Sequence, residues 1–127
     1  MVDGDHFKNI NDLYGHLVGD QALKTIGFLL NKCLRPGDLI CRYGGDEFAF
    51  IIPDCKSSLA EQITNRLLSQ FSLCRFPVGE KIIQLSVSIG FAIANFESGE
   101  TLEGLLNQSD TNMYLNKQKK HQSENEG

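Results

Sequence analysis

The stretch from Leu39 to Ile52, LICRYGGDEFAFII, constrains the fold more strongly than any other part of the chain. It holds two short apolar runs, residues 39–43 and 48–52, with Gly44 and Gly45 between them. Two adjacent glycines tolerate the positive φ values of a tight turn, so the stretch predicts an antiparallel β-hairpin. The acidic residues that follow the glycines then lie at the tip of that hairpin.

Outside the hairpin, apolar residues recur at the three- and four-residue steps of amphipathic helices. This spacing predicts helices over residues 19–34, 57–71 and 101–117. Residues 82–94 alternate apolar with small or hydroxyl-bearing side chains, which is the pattern of a strand. The remaining expectations are a short helix or turn and then a loop over 9–19, a turn over 76–80, and a frayed polar tail from Gln118.

The elements follow the order strand–helix–strand–strand–helix–strand–helix, in which helices alternate with an antiparallel hairpin. This order predicts an α+β domain, an α/β sandwich whose mixed, mainly antiparallel central sheet is flanked by helices. The sequence contains no internal repeat and no linker, so we expect one domain over residues 1–127.

The composition is that of a globular domain, because 41% of the 127 residues are hydrophobic and 22% are charged. A formal net charge of −4 and a pI of about 5.3 argue against binding to a long nucleic-acid backbone, which needs a basic field. No apolar run approaches the ~20 residues of a membrane span, and the first residues do not resemble a signal peptide. The four cysteines form no C-x-x-C pair, which argues against a zinc site and favours free thiols in a reducing cytoplasm.

Four acidic residues, Asp3, Asp5, Asp46 and Glu47, form the first candidate site. A strand end and a hairpin tip can lie side by side in an α+β sheet, and these carboxylates would then form the oxygen-rich site that Mg²⁺ prefers. The glycine pair would also let a ligand approach the backbone closely. For an isolated G-G-D-E segment, solvated turn residues remain the stronger interpretation.

Three further sets of polar residues have a functional and an ordinary interpretation. Asn11 and Asp20 could read the edge of a guanine, or could be a turn amide and an acid at a helix N-terminus. Arg35 and Asp38 could clamp a second ligand or form a surface ion pair. The lysines within 117–120 could contact phosphate or complement the dipole at a helix C-terminus. Each set taken alone favours the ordinary interpretation.

In their order along the chain, these motifs resemble the GGDEF family, the diguanylate cyclases. The resemblance covers essentially the whole chain and rests on long, correctly spaced motifs. They are DGDHFKNINDLYGH (3–16), GD (19–20), RPGD (35–38), RYGGDEF (42–48), Pro53, SVSIG (86–90), SD (109–110), Tyr114 and Lys117.

The resemblance implies a fold like the palm of nucleotide cyclases and polymerases, with a ferredoxin-like core. It implies the condensation of two GTP molecules into cyclic di-GMP with release of two pyrophosphates. Each domain is expected to hold one GTP, and two domains are expected to face each other so that the 3′-hydroxyl of each GTP attacks the α-phosphate of the other. A homodimer is therefore expected to be necessary for catalysis. The acidic pI again disfavours a nucleic-acid polymerase.

The resemblance also implies roles for individual residues. Asp3, Asp46 and the backbone carbonyl of Gly4 would hold two Mg²⁺ ions, for which Mn²⁺ could substitute. Either Asp46 or Glu47 would help to deprotonate the 3′-hydroxyl. The nucleotide-binding positions would be Asn11 and Asp20 at guanine, Phe7, Lys8, Arg42 and Lys117 at phosphate, and His16, Gly44 and Gly45 around them.

Arg35 and Asp38 match the R-x-x-D product-inhibition site of the family. At that site cyclic di-GMP binds away from the catalytic centre, often with an arginine from a neighbouring domain. Arg66 stands at a suitable position to be that arginine.

The sequence departs from the family pattern near its C-terminal end. The family usually has Gly-Arg shortly after the helical lysine, and the arginine meets phosphate there. Lys120 and His121 stand at these positions instead. Imidazole is mostly neutral near pH 7, so it is a poorer phosphate partner, and we expect Lys119 or Lys120 to compensate.

A family domain carries a helix and nearly all of a hydrophobic strand before the position of Asp3, where this chain has only Met1 and Val2. We therefore expect the 127 residues to be most of one domain of a larger protein, cytoplasmic, with a sensory domain upstream. An active cyclase is the leading hypothesis. The alternative is a catalytically weak domain that senses cyclic di-GMP or GTP.

Overall fold

The computed structural model describes residues 1–126 and contains four α-helices and six β-strands within that range. The strands are β1 (Val2–Gly4), β2 (Leu39–Gly44), β3 (Glu47–Ile51), β4 (Phe76–Val78), β5 (Lys81–Ile83) and β6 (Val87–Ile89). The helices are α1 (Phe7–Tyr14), α2 (His16–Lys32), α3 (Ser57–Leu73) and α4 (Leu102–Glu126). None of the helices in this range is long and apolar enough to cross a membrane.

Four strands form the central sheet in the order β2-β3-β1-β6, and every neighbouring pair is antiparallel. The middle of the sheet includes β1, where Val2 lies opposite Phe48 on β3 and Ile89 on β6. The predicted hairpin is confirmed as β2–β3, with a register shift just before Gly44. A second hairpin, β4–β5, forms where only a turn over 76–80 was predicted. The α+β class is confirmed.

The two faces of the sheet are covered by different helices. Ile26 of α2 and Leu67 of α3 are fully buried in the main core, together with Phe48 of β3. Adjacent strand residues point to opposite faces, so Ala49 turns to the other side, where it packs with Met113 of α4. Helices on both faces of the sheet therefore hold the strand ends in place.

Helix α4 differs most from the sequence prediction, because it continues to Glu126 where a frayed tail from Gln118 was predicted. The extension has no apolar stripe of its own. Tertiary hydrogen bonds hold it instead, including one of 2.8 Å from Lys120 Nζ to the carbonyl of Val87. Helix α2 also begins earlier than predicted, at His16.

The strand predicted over 82–94 is interrupted between Ile83, where β5 ends, and Val87, where β6 begins. Strand β6 then ends at Ile89, although the alternation runs to Ala94. Two asparagines of α4 explain the difference. Asn116 Nδ2 donates to the carbonyl of Ile89 at 2.8 Å, and Asn112 Nδ2 donates to that of Phe91 at 2.9 Å. These side chains satisfy backbone groups that a neighbouring strand would otherwise have to pair.

An apolar cavity of about 540 Å³ lies between β3, β6, α3 and α4. Phe50, Ile52, Phe91 and Leu105 are among the side chains that line it. It extends past Met1, at the end of β1 that is remote from the acidic residues. The cavity is therefore separate from the candidate site described next.

Candidate active site

The sheet brings acidic residues of β1 and of the β2–β3 turn together. Asp3 lies opposite Glu47 in the register of β1 and β3, and the amide of Gly4 donates to the backbone carbonyl of Asp46 at 3.2 Å. A Cβ atom placed on Gly4 would lie 3.5 Å from Asp46 Oδ2. The strand end and the hairpin tip therefore lie side by side, and the Asp46 carboxylate lies against the Gly4 backbone.

The surroundings of this site disfavour the ionised forms of its own acidic side chains. Burial and the neighbouring Asp3 carboxylate raise the pKa of Asp46 to about 6. Burial and the charges of Asp3 and Asp110 also raise the pKa of Glu47. Desolvation and like charge both penalise the ionised form of an acid. A bound cation is the ligand that would relieve both penalties.

Lys117 of α4 supplies a positive charge at this point. Its Nζ donates to Asp3 Oδ2 at 2.8 Å and to the carbonyl of Gly4 at 3.2 Å. The ammonium therefore contacts two of the three groups that were predicted to hold metal. The other oxygen of Asp3, Oδ1, is buried and has no hydrogen-bond partner within the part of the chain that the structure describes. The Asp3 and Asp46 carboxylates and the Gly4 carbonyl together fit a hard divalent cation such as Mg²⁺.

A cavity of about 290 Å³ opens at these residues. Asp3, Glu47 and Lys117 line it, with Asp110 and Tyr114 of α4 also in its wall. Its volume is close to the lower limit of ~300 Å³ for small-molecule pockets. A ligand in this cavity would meet the acidic groups and the Lys117 ammonium together.

Helices α1 and α2 bring together the residues predicted to read guanine. The Asn11 carboxamide lies so close to Gly19 that any side chain at position 19 would overlap it. Gly19 directly precedes Asp20, which is exposed on α2, and His16 is exposed at the start of the same helix. The α1–α2 pair thus places the Asn11 amide against Gly19, the residue directly before Asp20.

The predicted phosphate-binding residues lie at the start of α1 and at the hairpin turn. Phe7 and Lys8 form the first turn of α1, where the amides of a helix have no partner within the helix. Arg42 Nε donates to the carbonyl of Gly45 at 2.8 Å, which holds the arginine across the turn. A Cβ atom on Gly44 or Gly45 would meet nothing within 4 Å, so the space beside the turn is open.

Comparison with known proteins identifies the family. The family model described as "Diguanylate cyclase, GGDEF domain" matches residues 1–123. The chain belongs to the GGDEF family. This GGDEF domain is 37% identical over 114 residues to Diguanylate cyclase DgcP of Pseudomonas aeruginosa, a match covering 90% of the chain and 17% of that protein. It is 38% identical over 116 residues to Response regulator PleD of Caulobacter vibrioides, covering 90% of the chain and 25% of that protein.

A solved structure supports the same assignment at the level of the fold. The GGDEF domain of DgcB from Caulobacter crescentus, in complex with c-di-GMP, aligns with a TM-score of 0.86 and 28% identity. The alignment covers 92% of this chain and 69% of that chain. The palm-like fold implied by the sequence resemblance is therefore confirmed. The chain spans about a sixth of DgcP and a quarter of PleD.

In this GGDEF domain the R-x-x-D residues form a closed ion pair. Arg35 Nη2 lies 3.3 Å from Asp38 Oδ1 and donates to the carbonyl of Pro53 at 2.7 Å. Burial would raise the pKa of Asp38, but hydrogen bonds from Arg35 outweigh it and hold that pKa below its usual range. Arg66 Nη2 donates to the carbonyl of Cys33 at 2.5 Å, which brings Arg66 to the end of α2.

One polar network in the GGDEF domain was not predicted from the sequence. Asp5 is buried and accepts hydrogen bonds from Lys120 Nζ at 2.5 Å, from Ser88 Oγ at 2.6 Å, and from Ser86 Oγ. Burial alone would raise the pKa of Asp5, but these hydrogen bonds hold it below its usual value. Asp5 therefore does not join the acidic site as the sequence suggested. The sequence carries one signal for this arrangement. Ser86, just before β6, and Ser88, within β6, are two residues apart, so their side chains lie on the same face.

The expectation of a compensating phosphate contact stays a prediction for Lys119, but the structure engages the ammonium of Lys120 elsewhere. Its Nζ also donates to Ser86 Oγ and to the carbonyl of Val87, both at 2.8 Å, so all its donors are used inside the fold. Lys120 therefore acts as a tie between α4 and the sheet. Lys117 is the lysine of α4 that faces the acidic residues.

Proposed function

We propose that this GGDEF domain is the catalytic unit of a diguanylate cyclase, which condenses two GTP molecules into cyclic di-GMP and two pyrophosphates. The observation that carries the proposal is the Asp3–Asp46 pair, with the Lys117 ammonium on Asp3 Oδ2 and the buried Oδ1 without a partner among residues 1–126 as described. Such a site favours a cation and the phosphates that accompany it. The names of the relatives, among them diguanylate cyclases, agree with this choice.

Asp3, Asp46 and the Gly4 carbonyl would hold Mg²⁺, or Mn²⁺ in its place. Bound there, the ions would neutralise triphosphate charge and stabilise the charge that develops at the attacking and leaving oxygens. Lys117 would then move from Asp3 to a phosphate oxygen, because the metal ions and the ammonium repel one another and the phosphate offers the lysine a new anionic partner. Its long, flexible side chain allows that movement.

Glu47 is the better candidate for the group that accepts the 3′-hydroxyl proton. Asp46 engages the metal in this proposal and so is not available as a base. Glu47 lines the same cavity, and its raised pKa brings its proton affinity closer to neutral pH, where a general base works best.

The nucleotide would lie from the α1–α2 pair to the hairpin turn. Asn11 and Asp20 would bind guanine, and the start of α1, with Phe7 and Lys8, would bind phosphate. Arg42, His16 and the open space beside Gly44 and Gly45 would complete the pocket. Each domain supplies one GTP, so two domains must meet face to face, and we propose that an antiparallel homodimer is the active form.

Product inhibition is proposed at Arg35 and Asp38, with Arg66 contributed by a neighbouring domain. This site lies at the α2–β2 junction, away from the cavity at Asp3. Binding of cyclic di-GMP would require Arg35 to exchange some of its bonds with Asp38 for bonds with a phosphate or base. We further propose that the domain works in the cytoplasm under the control of a sensory domain upstream.

The test is direct: incubate the protein with GTP and Mg²⁺ and detect cyclic di-GMP by mass spectrometry. Asp46→Asn should abolish the product. Asp54→Asn is the matched control, because Asp54 is exposed in the turn at the other end of β3 and should keep the activity of the parent. A folded dimer that makes no cyclic di-GMP would overturn the proposal.

One observation favours a second candidate, a domain that binds cyclic di-GMP without producing it. Lys120 forms an ion pair with Asp5, and His121 stacks on His6, so neither residue replaces the family's phosphate-binding arginine. Tight binding of cyclic di-GMP without turnover, lost in Arg35→Ala and kept in Asp46→Asn, would support this candidate.

A further inference from the structure

A cluster of two histidines and a glutamate lies outside the acidic site. His6 is the residue before α1, and His121 and Glu124 belong to the last turns of α4. The ligand-type atoms of all three residues lie within 4.8 Å of one another. His6 Nε2 is 3.1 Å from Glu124 Oε2, and the His6 and His121 rings stack with centroids 4.6 Å apart. None of these side chains has a role in the proposed reaction.

The backbone conformation brings these three side chains together in the ligand-free chain. His121 and Glu124 are three residues apart on a helix, so they lie on the same face. His6 has a left-handed backbone conformation, with φ 54° and ψ 27°, which is uncommon for a residue other than glycine. The cluster therefore joins two parts of the chain that are 115 or more residues apart.

An unsatisfied atom in the cluster points to a ligand. Nε2 of His121 is buried and has no hydrogen-bond partner among the described residues. A buried polar nitrogen without a partner has lost its hydrogen bonds to water and gained none in return, so such atoms are rare in folded proteins. A metal ion that accepts the lone pair of this nitrogen would remove that penalty.

We propose that His6, His121 and Glu124 form a binding site for a transition-metal ion of the Zn²⁺, Co²⁺ or Ni²⁺ class. Two imidazoles and one carboxylate are the protein ligands of many three-residue zinc sites, in which water takes the fourth position. Imidazole nitrogen favours these ions over Mg²⁺, which prefers oxygen ligands. This site is thus chemically distinct from the one at Asp3, and it does not depend on the proposed cyclase activity.

The sequence argument against zinc considered cysteine spacing, which does not apply to this site. Its ligands come from opposite ends of the chain, so no local sequence motif indicates them.

Metal binding requires a small rearrangement of the side chains. Ligand atoms about 2.0–2.1 Å from one tetrahedral ion lie roughly 3.3 Å apart, and the His6–Glu124 pair already meets that spacing at 3.1 Å. The stacked imidazoles must rotate so that their in-plane lone pairs converge on one point. Glu124 and His6 are half-exposed, so their side chains have room to rotate toward His121.

A bound ion would connect the end of α4 to the segment between β1 and α1. That segment consists of Asp5 and His6, and it leads directly into Phe7 and Lys8 at the start of α1. The site would therefore stabilise the start of α1 from outside the nucleotide pocket.

The experiment is a titration of the purified chain with Co²⁺ in millimolar Mg²⁺, followed by the visible absorption of the Co²⁺ ion. Mg²⁺ saturates the oxygen-rich site, so the signal reports nitrogen ligation. We expect one equivalent of Co²⁺ per chain, displaced by Zn²⁺. His121→Gln and Glu124→Gln should each weaken binding by at least roughly tenfold.

His16→Gln is the matched control, because His16 is the one remaining histidine of the sequence and should not affect Co²⁺ binding. Cys41→Ser controls for binding by the exposed thiol. In the same samples Zn²⁺ should raise the Tm of the parent and of H16Q, but not that of H121Q. His6→Gln gives an independent test if H121Q does not fold, as judged by circular dichroism. Absence of saturable binding, or equal Co²⁺ affinity in the parent and the cluster variants, would overturn the proposal.

Discussion

Lys117 Nζ lies 2.8 Å from Asp3 Oδ2, so a side chain from the last helix neutralises a carboxylate at the centre of the sheet. The same ammonium contacts the Gly4 carbonyl. The domain without metal thus carries an internal cation at the point where Mg²⁺ is proposed to bind. In the free protein, Lys117 and Mg²⁺ therefore compete for Asp3. Once nucleotide is bound, both cations contact its phosphates.

The first prediction follows from this competition. Lys117→Met should destabilise the metal-free protein by about 2 kcal/mol, because it leaves a largely buried carboxylate unpaired. It should also strengthen Mg²⁺ binding several-fold, while cyclic di-GMP formation falls because a phosphate contact is lost. Thermal melts with and without Mg²⁺ measure the first two effects. Lys119→Met, at an exposed position on the same helix, should match the parent in stability and in Mg²⁺ binding. Equal Mg²⁺-induced shifts of Tm in K117M and the parent would contradict the idea.

The second prediction concerns the pH dependence of stability. The pKa of Asp46 is raised to about 6, above the ~3.9 of an unfolded aspartate, so the folded state binds the extra proton. Metal-free protein should therefore become more stable as the pH falls from about 6 to about 4, and Mg²⁺ affinity should fall over the same range. Urea melts in EDTA test this. Asp46→Asn should be more stable than the parent at pH 7 and should lose much of the slope, whereas Asp54→Asn should keep it.

Local sequence patterns predicted much of the fold because its main signals are local. The Gly44–Gly45 turn and the apolar runs beside it predicted the β2–β3 hairpin, and four-residue spacing placed Leu67 of α3 in the core. The meeting of Asp3 with Asp46 also followed, since it needs only a strand end beside a hairpin tip.

What the sequence did not predict depends on contacts between distant residues. The bond from Lys120 to Asp5 joins positions 115 apart, and nothing in the polar composition of the tail indicates it. The tail therefore looked frayed, although α4 continues to Glu126. The His6–His121 stack was missed for the same reason, because neither histidine belongs to a local metal-binding pattern.

The third prediction tests the Asp5–Lys120 tie. Lys120→Met should cost about 3 kcal/mol of stability at pH 7, because it removes the cation from a buried carboxylate. The pKa of Asp5 is lowered in the folded parent, so this stabilisation is present above about pH 4 and is lost as the pH falls through the folded pKa. Chemical denaturation should therefore show a smaller difference in the free energy of unfolding between K120M and the parent at pH 3 than at pH 7. A gap that does not depend on pH would mean that lost packing, not charge, explains the variant.

The fourth prediction concerns guanine binding and uses two glycines of α2. Gly19→Ala places a methyl group where the Asn11 carboxamide lies, so the amide must move. We expect the KM for GTP to rise roughly tenfold with little change in kcat, which is the effect of losing a contact that substrate and transition state share. Gly27→Ala is the control: its Cβ would meet Phe48 at an ordinary 3.7 Å, and alanine favours a helix by about 1 kcal/mol. If G19A and G27A have the same KM, Asn11 does not contact the nucleotide.

The last prediction separates the two arginines of the proposed inhibitory site. Arg35→Ala should abolish inhibition by cyclic di-GMP, because it removes the guanidinium paired with Asp38. Arg66 donates to the carbonyl of Cys33 in the free chain, so it must exchange this bond to reach a ligand held by a neighbouring domain. Arg66→Ala should therefore raise the cyclic di-GMP concentration for half-inhibition while costing only about 1 kcal/mol of stability. Arg75→Ala, which removes an exposed arginine beyond α3, should leave inhibition as in the parent. Unchanged inhibition in R66A, with inhibition lost in R35A, would remove Arg66 from the site and leave its role as a tie between α3 and the end of α2.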